Sequence, residues 1–130
     1  MGYHSHVSGE ITITPPISWK ELQEKGYNKE GRWTSDWTHV RLEVEAETVS
    51  TDDGELTRYT AEAIVPSTDD SFKAYGLTKH VQKIVDDFPE HDFTGGYFQV
   101  EGEDNVDLWR VYVRRGKTIE VKPEIKWPEV

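Results

Sequence analysis

The chain has 130 residues, with 15 Lys and Arg against 25 Asp and Glu, a formal net charge of −10 at pH 7 and no Cys. The length fits one domain spanning 1–130. The lack of Cys excludes a disulfide scaffold, a thiol nucleophile and a thiolate metal site. No apolar run approaches the roughly 18 residues of a membrane span. The lack of such a run means that we expect no membrane as partner. We expect no signal peptide, because the first residues lack a basic start and an apolar stretch. The negative charge of the chain repels phosphate backbones, so we expect no nucleic acid as partner either.

The first predicted elements are a strand and a short helix. Val and Ile total 20 residues whereas Leu and Ala total nine, which favours strands over helices. Residues 6–14 alternate as a half-buried strand does, and Pro15-Pro16 should end this strand because proline cannot donate a ladder hydrogen bond. Ser18 and Glu21 have the spacing of a capping box, so a helix should begin at Ser18 and end at Gly26.

A long hairpin is predicted after a loop at 27–37. Residues 39–47 alternate between apolar side chains, which should face the core, and charged side chains, which should face water. The inward set consists of Val40, Leu42, Val44 and Ala46. Residues 50–55 are polar and contain Gly54, so they should turn the chain into a partner strand at 56–65.

A second helix and three more strands complete the chain. Apolar residues recur at helical spacing before Pro89, which should end the helix; they are Leu77, Val81, Ile84, Val85 and Phe88. Gly95-Gly96 should open the next strand. The remaining strands are predicted at 97–101, 107–115 and 118–122. Pro123 and Pro128 predict an extended tail at the sheet edge.

This order of elements predicts an α+β fold. We expect an antiparallel sheet with two helices on one face, in a ferredoxin-like βαββαβ order with extra C-terminal hairpin strands. The other face of the sheet would be open, and it is the first place to look for function. Its candidate ligand-binding residues are Arg41, Arg110, Tyr112 and Arg114. The alternative for this face is a solvated surface with cross-strand ion pairs.

The loop at 27–37 contains the candidate residues for partner binding. These are Arg32, Trp33 and Trp37, of the residue types that anchor protein interfaces when exposed. The alternative is that the two tryptophans close one end of a core that is poor in Leu.

Catalytic and metal sites find little support. Glu43, Glu45 and Glu47 share one strand face but lack a companion motif, and His91-Asp92 lacks a nucleophile, so we interpret this pair as part of a loop. His4 and His6 are weak metal candidates that would need a third ligand such as Glu10 or His39. We expect no enzymatic activity, no cofactor and no metal.

The first 20 residues carry a resemblance. The segment from Met1 to Pro16, followed by Trp19, resembles the start of a family of small uncharacterised proteins of actinobacteria and their phages. The resemblance implies a cytoplasmic setting and a host-encoded protein partner, and it carries no catalytic residue with it.

Two functional hypotheses follow. The first is an acidic, non-enzymatic protein-interaction domain, such as a phage-encoded modulator or inhibitor of a host protein; in one variant its acidic surface imitates DNA. The alternative is a small-ligand or nucleotide-binding module that uses the open sheet face.

Overall fold

A computed structural model describes residues 4–27, 39–67, 74, 76–103 and 107–129. Its elements are β1 (Ser5–Ser18), α1 (Trp19–Glu24), β2 (Val40–Thr51), β3 (Gly54–Pro66), α2 (Leu77–Asp87), β4 (Asp92–Gly102), β5 (Leu108–Arg114) and β6 (Lys117–Val121). Within these described residues the strands form one six-stranded antiparallel sheet in the order β2-β3-β1-β4-β5-β6. The predicted α+β class is confirmed.

Strands dominate this fold more than the predicted ferredoxin-like order implies. Helix α1 has only six residues, and β5 and β6 extend the sheet beyond β4. Leu22 of α1 and Val81 of α2 belong to the same core cluster, so both helices pack on one face of the sheet. The finer ferredoxin-like assignment stays a prediction.

Strand β1 continues through Pro15-Pro16, so the expectation that these prolines end it is wrong. The register between β1 and β3 shifts between Thr12 and Ile17, and pairing resumes at Ile17. Residues inside such an irregularity need not donate to the ladder, which is why the prolines are accommodated. Ser18 then caps α1 through the predicted capping box, since the Glu21 backbone N–H donates to its hydroxyl at 3.3 Å.

The predicted β2–β3 hairpin is present, but only its first half reaches the core. Val40 and Leu42 are buried, Val44 is half-buried and Ala46 is exposed. The prediction that these side chains face the core is therefore correct for Val40 and Leu42 and wrong for Ala46. The outer part of the hairpin extends past the layer that the helices cover.

Strand β4 begins at Asp92 and not, as predicted, after Gly95-Gly96. Gly96 has a φ of 77°, and a Cβ atom there would meet the backbone carbonyl oxygen of Glu10 in β1. This residue therefore lets two strands approach closely, which a glycine inside a strand permits and a larger residue would prevent.

The core lies between the helices and one face of the sheet. Its largest fully buried side chains are Tyr27, Phe93, Phe98, Ile11, Ile17, Leu22, Leu42, Ile64, Leu77, Val40, Val81 and Val100. Because strand side chains alternate, burial of Phe98 and Val111 on this face directs their neighbours in sequence to the open face. The fold thereby determines which residues can meet an outside molecule.

Candidate functional site

Four side chains of β4 and β5 stack on the open face of the sheet. Tyr97 and Tyr112 lie with ring centroids 5.1 Å apart at an interplanar angle of 36°. The Arg110 guanidinium lies 4.5 Å from the Tyr97 centroid, and the Arg114 guanidinium lies 5.0 Å from the Tyr112 centroid. Both spacings are within the range of cation–π attraction. We call these four residues the Arg–Tyr ladder.

Strand pairing explains the ladder. Phe98 pairs with Val111 and Gln99 with Arg110, so Tyr97 and Tyr112 come opposite each other on the face away from the core. The sequence analysis selected Arg110, Tyr112 and Arg114 but missed Tyr97. Its alternation with buried Phe98 places it on the open face, whereas its contact with Tyr112 depends on the register between β4 and β5.

Hydrogen bonds hold the ladder in place. Arg110 donates from Nη1 to the Tyr112 hydroxyl at 3.2 Å and from Nε to Gln99 Oε1 at 3.1 Å. Arg114 Nη1 donates to the carbonyl oxygens of Thr94 at 3.1 Å and of Val113 at 2.8 Å. The hydrogen bond to Tyr112 raises the pKa of Arg110 above its usual value. The hydrogen bonds therefore orient both guanidinium groups before any ligand arrives.

Arg41, the fourth predicted ligand residue, lies apart from the ladder. It is on β2, which is separated from β5 by β3, β1 and β4. Its Nη1 forms an ion pair with Glu43 at 3.3 Å. The structure thus brings three of the four candidate residues together and places Arg41 in an ion pair within β2.

The β2–β3 side of the open face is acidic. Glu43, Glu45 and Glu47 alternate along β2, with Glu43 paired to Arg41 and Glu47 to Arg58 at 3.2 Å. These ion pairs interrupt the row of carboxylates. Three glutamates against two arginines leave this side, which we call the acidic half, with an excess of one negative charge, whereas the half at β4 and β5 carries the cations and rings of the ladder.

The histidines considered as metal ligands are dispersed. His4 and His6 are exposed at the start of β1. His39 lies instead against His80 of α2, with the two Nδ1 atoms 2.7 Å apart. In the described ranges no group of three or more His, Cys, Asp or Glu residues could hold a metal ion. The partner-binding candidates Arg32, Trp33 and Trp37 lie outside the described residues.

His91 has a structural position that the sequence analysis did not anticipate. Its side chain is 5% exposed, and its ring nitrogens lie 2.6 Å from the Pro15 carbonyl oxygen and 2.6 Å from Glu21 Oε2. Asp92 turns away and accepts the Thr94 backbone N–H at 2.9 Å. His91 and Asp92 are thus separate, and His91 joins the bend of β1 to α1 beside a cavity of about 280 Å³.

The ionisation of Glu21 should make the stability of the folded protein depend on pH in the acid range. Burial acts to raise its pKa, but hydrogen bonds from His91 and Ser18 outweigh burial and hold the pKa below its ordinary value of 4.5. A lowered pKa in the folded state adds stability above the unfolded-state pKa, and this stability is lost as pH falls through the folded value. We expect the stability gap between the wild type and Glu21→Gln to shrink from pH 7 to pH 3 in urea unfolding. A gap that stays constant would contradict this role.

The family assignment comes from comparison with known proteins. The model of the family of unknown function DUF6205 matches residues 1–130. The chain belongs to this family. Neither the curated proteins nor the solved structures include a match to this chain. In the part of the chain that the structure describes, no helix has the length and apolar character needed to cross a membrane.

Proposed function

We propose that this protein is a non-enzymatic interaction module that binds a protein partner through the Arg–Tyr ladder. The ladder is the observation that supports this function. It is a continuous stack of two rings and two cations on an open sheet face, fixed by hydrogen bonds within β4 and β5.

The residue types favour a protein partner. Tyr and Arg are enriched at interface hot spots, where they combine a large contact area with directed polar groups. Side chains that are already ordered lose less conformational entropy on binding than mobile ones do. Arg110 and Tyr112 of the ladder border a groove of about 270 Å³, but Tyr97 and Arg114 lie outside this groove, whereas small-molecule sites are usually concave and enclose most of the ligand.

Charge indicates the chemistry of the partner surface. The ladder places two guanidinium groups on a chain whose net charge is −10, while the acidic half of the same face lies across the sheet. A partner that presents carboxylates beside an aromatic or apolar side chain would match the ladder. Following the resemblance in the first 20 residues, we propose a host protein as this partner, with the module acting as a phage-encoded modulator or inhibitor in the cytoplasm.

Nucleotide binding is the second candidate. The Tyr97–Arg110 contact at 4.5 Å combines a ring and a cation, a pair that could hold a planar base and a phosphate. A panel of nucleoside mono- and triphosphates tests this in thermal-shift measurements, because a ligand specific for the folded state raises its stability. A shift that Tyr97→Ala abolishes would favour this candidate over a protein partner.

Peptide display tests the proposed function directly. Peptides selected on the wild type from a random library should be rich in Asp and Glu. Their affinity should fall about 30-fold in Tyr112→Ala or Arg114→Ala, since hot-spot truncations cost about 2 kcal/mol. The matched control is Arg58→Ala, another exposed arginine in an ion pair on the acidic half. Peptides that bind the ladder variants as tightly as the wild type would refute the proposal.

A further inference from the structure

An apolar groove adjoins the Arg–Tyr ladder at the end of β6. It has a volume of about 270 Å³, and its apolar walls are Leu108, Trp109, Val121 and Pro123. The pairing of β6 with β5 ends at Val121, and Pro123 has no N–H with which to continue it. The chain therefore leaves the sheet at this point and forms one wall of the groove.

The groove and the ladder belong to one exposed strip of the sheet. Val121 pairs with Arg110 across β5 and β6, and Ile119 pairs with Tyr112. The two apolar side chains of β6 therefore lie on the same face as the ladder. Tyr97, Ile119 and Val121 are 36%, 40% and 43% exposed. Contiguous apolar surface that polar groups surround is typical of an interaction site.

Cations outnumber carboxylates around this strip. Arg110 and Lys122 line the groove, and the Arg114 guanidinium lies next to it on the Tyr112 ring. Glu101 is the carboxylate that β4 places on this face, opposite Leu108. Three cations and one carboxylate leave an excess of two positive charges. A ligand that is apolar inside the groove and negatively charged beside it would therefore be complementary to this surface.

The size and the walls of the groove favour an aromatic side chain. Since a cavity of about 150 Å³ accepts a benzene ring, a groove of about 270 Å³ has room for a phenyl or an indole ring. Trp109 and Tyr112 line the groove, and aromatic rings pack favourably against each other. We therefore expect one aromatic side chain of the partner to enter the groove.

The distance from the groove to the ladder determines where the partner carries its negative charge. Tyr112 belongs to both, and the Arg114 guanidinium lies 5.0 Å from the centroid of its ring. In an extended segment, side chains two residues apart point to the same side and are about 7 Å apart. When an aromatic side chain fills the groove, the side chain two residues away therefore lies over Tyr112, close to Arg114.

We propose that the groove and the ladder together bind an extended acidic segment of the partner. An aromatic side chain of this segment enters the groove, and an Asp or Glu two residues away pairs with Arg114. This inference rests on the proposed function and deepens it, because it adds an apolar subsite to the ladder and defines the segment that the partner presents.

Peptides selected on the wild type from a random library are the probe for the groove. They should carry an aromatic residue two positions from an Asp or Glu. Replacement of that aromatic residue by alanine should weaken binding about tenfold or more in fluorescence anisotropy, since buried aromatic anchors dominate interface energies. Selected peptides that lack an aromatic residue, or that bind equally well after this replacement, would overturn the inference.

A variant of the groove tests whether the aromatic side chain binds there. Leu108→Ala combined with Val121→Ala removes two apolar walls and should weaken binding of the selected peptide about tenfold. The same variant should bind the alanine-substituted peptide as the wild type does, because the two changes remove one contact. Equal weakening of both peptides would show that the aromatic side chain binds elsewhere and would overturn the inference.

The β2–β3 hairpin provides the matched control. Val49 and Leu56 pair across the hairpin and, like Leu108 and Val121, are one half-buried and one exposed side chain. Val49→Ala combined with Leu56→Ala should bind both peptides as the wild type does. Urea unfolding of each variant verifies that a change in binding is not a loss of the fold.

The inference and the proposed function fail on different results. Tyr97 and Arg114 belong to the ladder but not to the groove lining. If Tyr97→Ala and Arg114→Ala weaken binding but the groove variant does not, the proposed function stands and the inference is refuted. If both ladder variants bind as tightly as the wild type, the proposed function is refuted together with the inference. A library that yields no binding peptide would also contradict both.

Discussion

Replacement of Gly96 by alanine should lower the free energy of unfolding by about 3 kcal/mol or more. Two costs add in this variant. A non-glycine residue at a φ of 77° is disfavoured by roughly 1–2 kcal/mol. The added methyl group would also meet the Glu10 carbonyl oxygen of β1, which is backbone and cannot rotate away. The strands would have to separate, and the hydrogen bonds between β1 and β4 would weaken.

A second glycine separates these two costs. Gly116 has a nearly identical φ of 74°, but nothing lies within 4 Å of where its Cβ would be. Gly116→Ala should therefore cost only the conformational part, roughly 1–2 kcal/mol. Urea unfolding of both variants gives the difference directly. Equal destabilisation of the two would show that the close approach of β1 and β4 contributes nothing.

These glycines also show what could not be predicted about the strands. Alternation in the sequence identified the strands because side chains in a half-buried strand face opposite sides. It could not show that Gly96 lies inside β4, since the reason is the position of β1, which is distant in sequence. The same holds for Pro15-Pro16, which β1 tolerates because of a register shift against β3. Both errors arose where contacts between strands overrode local preference.

The sequence predicted most of the residues of the candidate site, but it did not predict which of them lie next to each other. Arg110, Tyr112 and Arg114 alternate along one strand, so their common face followed from the sequence. Arg41 was grouped with them because it also points to the open face, but strand order places it at the opposite side of the sheet. Tyr97 completes the ladder through the β4–β5 register, which is a tertiary property. Alternation therefore predicts which face a side chain occupies, and topology decides which side chains meet there.

Replacement of His91 by alanine should also destabilise the fold strongly. We expect the free energy of unfolding to fall by about 3 kcal/mol. The ring is nearly buried and connects two segments that are far apart in sequence, the Pro15 carbonyl of β1 and the Glu21 carboxylate of α1. Hydrogen bonds to charged groups contribute about 1.5–3 kcal/mol, and the hydrogen bond to the Pro15 carbonyl contributes about 0.5–1.5 kcal/mol more. The edge contact of the ring with Phe88 would also be lost.

Two further variants distinguish the contacts of His91. In His91→Asn the side-chain amide can still donate to the Pro15 carbonyl but is too short to reach Glu21. This variant should therefore lose about half as much free energy of unfolding as His91→Ala does. His6→Ala removes an exposed histidine from β1 and should change stability by no more than about 0.5 kcal/mol. Urea unfolding at pH 7 measures all three. If His91→Ala were as stable as His6→Ala, the bend of β1 would be held by its strand partners alone, and the link from β1 to α1 through His91 would be unnecessary for the fold.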